Sequence, residues 1–169
     1  MSPQESEREF DRFYEAVHRP LIGQAYLLTG DLQWAEDLVQ ETLVRAWQRW
    51  DRVGHLEDPH GWARRVLHNL AVSHMRRRAV RLRYAASEVR VSPEPSSSDV
   101  DLMSGLRKLP VNQRRALVLT AVAGLQVAEV AKEMNVREGT VRVWLSRGRA
   151  ELAGVLDLTR TPRREPDAT

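Results

Sequence analysis

The 169-residue sequence predicts an all-α protein: two small helical domains joined by a flexible linker, the C-terminal one a helix-turn-helix. Three observations carry this. Apolar residues recur at helical spacing along almost the whole chain, with no convincing strand alternation. The stretch "SEVRVSPEPSSSDVD" at 87–101 joins two prolines to a serine cluster and has too few apolar groups to order itself. Finally, "VAEVAKEMNVREGTVRVWLSRGR" at 127–149 reads as two short amphipathic helices around a tight corner. The expected organisation is a helical domain at 8–84, a linker at 85–100, a second helical domain at 101–158 and a disordered tail at 159–169. The second domain is short, so its core is small.

Within the first domain, a helix is expected from Ser6 to His18, with Pro20 interrupting it. The segment "LIGQAYLLTG" ends at Gly30, a helix stop, and Asp31 can cap the next helix. That helix runs to about Trp50, with Val39, Leu43, Ala46, Trp47 and Trp50 on one apolar stripe. Asp37, Leu38, Gln40, Glu41 and Val44 are read as lying off it. After the loop "DRVGHLEDPH", a last helix runs from about His60 to Arg83. Ala63, Val66, Leu67 and Leu70 form its apolar arc; Trp62, Arg65, Asn69, Val72, Ser73 and Arg76 form a second one.

Charge is unevenly placed. Residues 1–51 hold ten acids against five bases, residues 62–90 eight arginines against one acid, and residues 107–149 nine bases against three acids. An acidic front end and two basic blocks fit one acid-rich contact surface and two polyanion sites. Nearly all the bases are arginine, which suits phosphate and base edges but also follows from GC-rich codon usage. There is no cysteine, hence no disulfide frame or thiolate metal site. No apolar run approaches the roughly 18 residues of a membrane span, so no membrane insertion is expected. The charged start "MSPQESEREF" is unlike a signal peptide, and a cytoplasmic protein is expected. His18, His55, His60, His68 and His74 show no metal spacing, and His60, His68 and His74 are read as helix surface. No phosphate loop or nucleophile motif appears; no cofactor and no enzyme activity are expected.

In the corner motif, Val130, Met134, Val136, Val141 and Trp144 or Leu145 are spaced to close a small core. Asn135 tolerates the left-handed backbone of a tight turn. With Val141 and Leu145 inward, Arg137, Arg142, Val143, Ser146 and Arg147 point outward or flank the seam. Such a helix fits a major groove, where arginine bonds guanine through two atoms. Without further context, a plain helical hairpin with a solvated basic face remains the competing reading.

The preceding "LRKLPVNQRRALVLTAVAGL" changes the balance. Joined to the corner motif, with "EGTVR" and "LSRGRAEL", it resembles the C-terminal domain of extracytoplasmic-function sigma factors, the small promoter-specificity subunits of bacterial RNA polymerase, here of actinobacterial type. "TGDLQWAEDLVQETLVRAWQRW" (29–50) is similar to that family's polymerase-binding helix, and "GWARRVLHNLAVSHMRRR" (61–78) to its promoter-melting helix. The resemblance covers roughly residues 8–158. Trp144 stands where the family often has arginine, and Gly148 where it often has alanine, a change that weakens a helix by about 1 kcal/mol.

The resemblance implies core RNA polymerase and promoter DNA as partners, and allows an anti-sigma factor. It implies that Arg137, Thr140, Arg142, Val143, Ser146 and Arg147 serve the upstream, minus-thirty-five element, with Thr140 on a phosphate. It implies that Trp62, Arg65, Asn69, Ser73, Arg76 and Arg77 serve the downstream, minus-ten element and its melting, where an unstacked base can bond an amide. Asp37, Leu38, Gln40 and Glu41 would meet the polymerase. For these, a solvated acidic helix face, and for Trp62 a core anchor, are the plainer alternatives. A helix-turn-helix repressor or activator outside the polymerase is the rival function.

Overall fold

The computed structural model describes residues 3–84 and 97–160, with eight helices and no strand among them. These are α1 (Pro3–Thr29), α2 (Leu32–Trp47), α3 (Trp50–Val53), α4 (Pro59–Tyr84), α5 (Ser97–Lys108), α6 (Val111–Ala121), α7 (Val127–Met134) and α8 (Glu138–Arg160). Most of the expected linker, and the tail beyond Arg160, lie outside the described residues. Its last residues do not: α5 begins at Ser97, four residues inside the expected linker.

Helix α1 is longer than its sequence suggested. Pro20 lies inside it and does not break it. The ring and the neighbouring Ala16 are exposed, so the carbonyl freed by the missing N–H can meet water. Val17 and Leu21 pack into the core on either side and hold the backbone helical across the gap. The stop and restart follow the local chemistry. Gly30 has φ +71°, and the Asp31 carboxylate accepts from the Trp34 N–H at 3.0 Å.

The first core lies where α1, α2 and α4 meet and includes Phe13, Leu28, Leu38, Val39, Leu43, Trp50 and Leu67. Because α2 is gripped by both α1 and α4, its buried arc is wide: Ala35, Leu38, Val39, Thr42, Leu43 and Ala46. That corrects two expectations. Leu38 is 1% exposed, a core residue rather than one of the outward group. Trp47 leaves the stripe and is 47% exposed, its ring edge-on to Phe10 at 4.9 Å. In α4, Val72 is buried although it was placed among the polar arc. His68 is fully buried rather than on the surface, its Nε2 3.0 Å from the Gln24 amide oxygen.

The second core gathers Met103, Leu106, Leu109, Leu117, Leu119, Val130, Val141 and Leu145 from α5 to α8. The two cores adjoin. Tyr26 and Leu27 of α1 touch both, and Val118 of α6 packs into the first. Arg114, buried on α6, donates to the carbonyls of Leu28 at 2.6 Å, Arg107 at 2.9 Å and Leu109 at 3.2 Å. The basic pair in "QRR" is therefore not free for a polyanion in this arrangement: both arginines are buried at the domain seam.

Candidate nucleic-acid and polymerase interfaces

The corner between α7 and α8 is built as the sequence implied. At the start of α7 the Glu129 carboxylate accepts from the Gln126 N–H at 2.8 Å, and Asn135 closes the helix with φ 54°. Val130, Ala131, Val141 and Leu145 are buried, with Met134, Val136 and Trp144 packed at the edge of the cluster. Trp144 is thus partly committed to the core. Outside, Arg137, Arg142, Val143, Ser146 and Arg147 are exposed, and Thr140 is half-buried at the start of α8. Arg142 pairs with Glu138 at 2.9 Å, both well solvated, so the pair adds little stability and is easily exchanged for another partner.

Along α4, Arg65, Asn69, Ser73, Arg76 and Arg77 are exposed on one side. Trp62 is half-buried and packs against the first core, so its indole is shared between core and surface. The N-terminus of α4 is tied by Asp58, whose carboxylate accepts from the Gly61 N–H at 2.8 Å. Farther along, Arg78 stacks over the Trp34 ring at 5.4 Å.

On α2, Asp37 and Gln40 are exposed and Glu41 half-exposed. Glu41 holds Arg45 at 2.6 Å and stands 3.8 Å from His74. Beside them, α1 and α2 frame an open groove lined by Phe10, Tyr14, Ile22, Leu43, Val44 and Trp47, with Glu7 and Glu36 among its walls. An exposed apolar trough edged with acid is a surface fit for a partner helix.

Three residues absent from the sequence-derived site stand where the domains meet. Arg64 of α4 bonds Glu133 of α7 through two nitrogens at 2.9–3.2 Å. Arg115 of α6 donates to the Asn69 side-chain oxygen at 3.1 Å. No local pattern marks them, because each pair joins residues far apart in the chain. His68 lies among the same cations. Burial first, then the Arg115 and Arg64 guanidiniums, push its imidazole down to about 3. Among the described residues no cluster of His, Asp or Glu could hold a metal ion, and no helix is long and apolar enough to cross a membrane.

Residues 13–81 match the family model of Sigma-70 region 2, and residues 99–152 that of Sigma-70, region 4. The ECF RNA polymerase sigma factor SigL of Mycobacterium tuberculosis is 31% identical over 129 residues, 70% of this chain and 72% of that protein. The chain belongs to the extracytoplasmic-function sigma factors. A second relative, the ECF RNA polymerase sigma factor SigE of Mycolicibacterium smegmatis, is 32% identical over 145 residues. The match takes in 78% of this sigma factor but 55% of SigE, so the chain spans about half of that relative's length. Among solved structures, the sigma factor RpoE in complex with the anti-sigma factor NepR from Bartonella quintana is similar. Its TM-score is 0.76 at 27% identity, covering 90% of this chain and 99% of that one. CnrH in complex with the cytosolic domain of CnrY matches with a TM-score of 0.66 at 26% identity, covering 90% of each chain. The family match favours a polymerase subunit over a free-standing repressor or activator.

Proposed function

We propose that this sigma factor binds core RNA polymerase, reads the minus-thirty-five and minus-ten promoter elements and promotes opening of the duplex. The observation that carries the reading is the α7–α8 unit. Val141 and Leu145 are locked into the core, and Arg142, Val143, Ser146 and Arg147 face solvent on the same helix. Arg142 or Arg147 can bond a guanine edge, Val143 can meet a thymine methyl group, and Thr140 and Arg137 can hold the phosphates. The exposed side of α4 serves the downstream element. Arg65, Arg76 and Arg77 hold backbone phosphates, Ser73 adds a hydroxyl, and Asn69 bonds the edge of an unstacked base. Trp62 offers the exposed part of its ring for stacking.

Asp37, Gln40 and Glu41 supply the polymerase contact, helped by the apolar groove between α1 and α2. Leu38 supports that surface from beneath. Binding core polymerase places the protein in the cytoplasm, and its role is regulatory rather than catalytic. An anti-sigma protein is a further partner in this reading, since the similar sigma factor RpoE was solved in complex with the anti-sigma factor NepR. Run-off transcription with purified core polymerase, followed by genome-wide mapping of start sites, tests the whole assignment. Promoter-specific transcripts that need the added protein support it; absence of both transcription and co-elution with core polymerase overturns it.

A further inference from the structure

We propose that free copies of this sigma factor associate head to tail, the exposed end of α4 from one copy seating in the groove between α1 and α2 of another. The two surfaces match in shape and in charge. Every residue from Arg76 to Tyr84 is exposed, so the last turns of α4 stand clear of the chain's own cores as an arm. Three large apolar side chains are exposed on each surface: Val80, Leu82 and Tyr84 on the arm, and Tyr14, Val44 and Trp47 in the groove. The polymerase contact assigned to this groove is not required for the association.

Along the arm, Val80 and Tyr84 stand one helical turn apart and form an apolar ridge. By helical spacing, Arg77 and Arg81 flank it on one side and Arg76 and Arg83 on the other, and the stretch holds no acid. The groove is its complement. Helices α1 and α2 are joined by the turn at Gly30 and Asp31 and run back along one another, so the two ends of the groove differ. Arg19 and Glu36 line one end. Glu7, Asp11, Tyr14 and the Phe10–Trp47 ring pair line the other, the rings 4.9 Å apart. This acidic, aromatic end takes the arm: Val80 and Tyr84 enter the trough, and the flanking arginines meet carboxylates and ring faces. A polyanion would also draw the arginines, but it has no use for the Val80–Tyr84 ridge. The arm from Arg77 to Tyr84 is about 11 Å long and the α1 wall from Glu7 to Ile22 about 22 Å, so half the groove suffices. A contact this short buries less surface than a permanent dimer, so the association is weak and grows with concentration. Each added copy brings an arm and a groove, as head-to-tail contacts do, so species can lengthen beyond two.

Sedimentation equilibrium of the nuclease-treated full chain over a range of concentrations tests this. Neither DNA nor polymerase is present, so the outcome is separate from that of the promoter-reading assignment. The parent's average mass should climb from that of one chain, 19.4 kDa, towards twice that or more, and fall back in high salt. Glu7→Arg with Asp11→Arg, and separately Arg81→Glu with Arg83→Glu, should each hold the mass of one chain, because arm and groove then carry like charge. Mixed in equal amounts, the two variants should regain the parent's association, since each arm now meets a groove of opposite sign. Val80→Ser with Tyr84→Ser keeps every charge and should also stay single. All six positions are exposed, so helix content and melting temperature should match the parent's. A parent that stays a single chain at every concentration overturns the proposal, as does association that survives either charge reversal or the serine changes. Association lost in both reversed variants and not restored on mixing overturns the pairing of arm with groove.

Discussion

Gly148 of α8 lies directly against Leu117 of α6: a Cβ added at Gly148 would stand 2.8 Å from the Leu117 Cδ1. The glycine therefore does not merely weaken the helix, as its sequence position alone implied. It lets α6 and α8 approach at the centre of the second core. Gly154, in the same helix, is exposed and would meet nothing within 4 Å. Gly154→Ala should stabilise the protein by up to about 1 kcal/mol, the usual helix preference. Gly148→Ala should give no gain, because Leu117 must shift inside a packed cluster. Thermal melts of the two variants check this, and equal gains would mean that the close approach imposes no restriction.

Arg142→Ala should leave the melting temperature nearly unchanged, since its pair with Glu138 is well solvated. Binding at the upstream element should weaken by about 1–3 kcal/mol, with relaxed preference at one base pair. Equal losses on every upstream sequence, measured by gel shift, would identify a phosphate contact instead.

Asp37→Lys together with Glu41→Lys should reduce binding to core polymerase while the fold survives. Asp37 is exposed and Glu41 half-exposed, and Glu41's bonds to Arg45 and His74 lie at the surface. Helix content and competition against the parent protein for core polymerase are the two measurements. Normal competition would mean that the contact lies on another face.

If Asn69 contacts a base as proposed, Asn69→Ala should impair promoter opening more than closed-complex binding, because the base edge it would bond is exposed only after melting. Trp62→Ala should do the same if its stacking contributes about 1–3 kcal/mol. Trp62 packs against the first core, so its variant counts only with an unchanged melting temperature. Permanganate footprinting reads the opening, and a pre-melted bubble template should rescue both variants in part. Parent-like opening of duplex DNA by both would refute the melting role of this α4 face.

His68 makes acid stability a direct test of the buried arrangement. Its imidazole ordinarily titrates near 6.5 and is pushed down to about 3 in the folded chain. Both states are neutral above 6.5, so no penalty acts there. As the pH falls below 6.5, the unfolded chain takes up a proton that the folded chain refuses. Stability should then fall towards pH 3 by up to about 1.4 kcal/mol per pH unit from this group. The Nδ1 atom has no partner, so a second proton would find no acceptor. His68→Gln should flatten the slope of denaturant-derived stability between pH 6.5 and 5; an unchanged slope would show that the group is not held neutral.

Much of the fold was legible because its signals are local. A glycine stop, an aspartate cap, a left-handed asparagine and the spacing of Val141 with Leu145 each act within a turn or two of helix. The exposed arginine face of α8 follows from the same spacing. Periodicity failed where a helix is held from two sides, since one stripe cannot represent a wide buried arc; Leu38, Val72 and His68 were misplaced for that reason. The role of Gly148 was hidden because a glycine in a sequence does not name the side chain that fills its space.

Taken by itself, the sequence determined the all-helical class, the helix-turn-helix and the family to which the chain belongs, since these rest on short-range backbone chemistry and ordered motifs. Only the tertiary structure decided how the domains meet. Arg64 and Glu133 are 69 residues apart, Arg115 and Asn69 46, and nothing in the local pattern of either strip names its partner. Arginine exposed on an isolated helix is a ligand for phosphate; the same arginine becomes a structural tie when a second domain brings a carbonyl or carboxylate within 3 Å, as Glu133 does for Arg64 at 2.9 Å. Which of the two it is depends on packing between distant segments, where burial strips away water and leaves each charge to the partner the fold supplies.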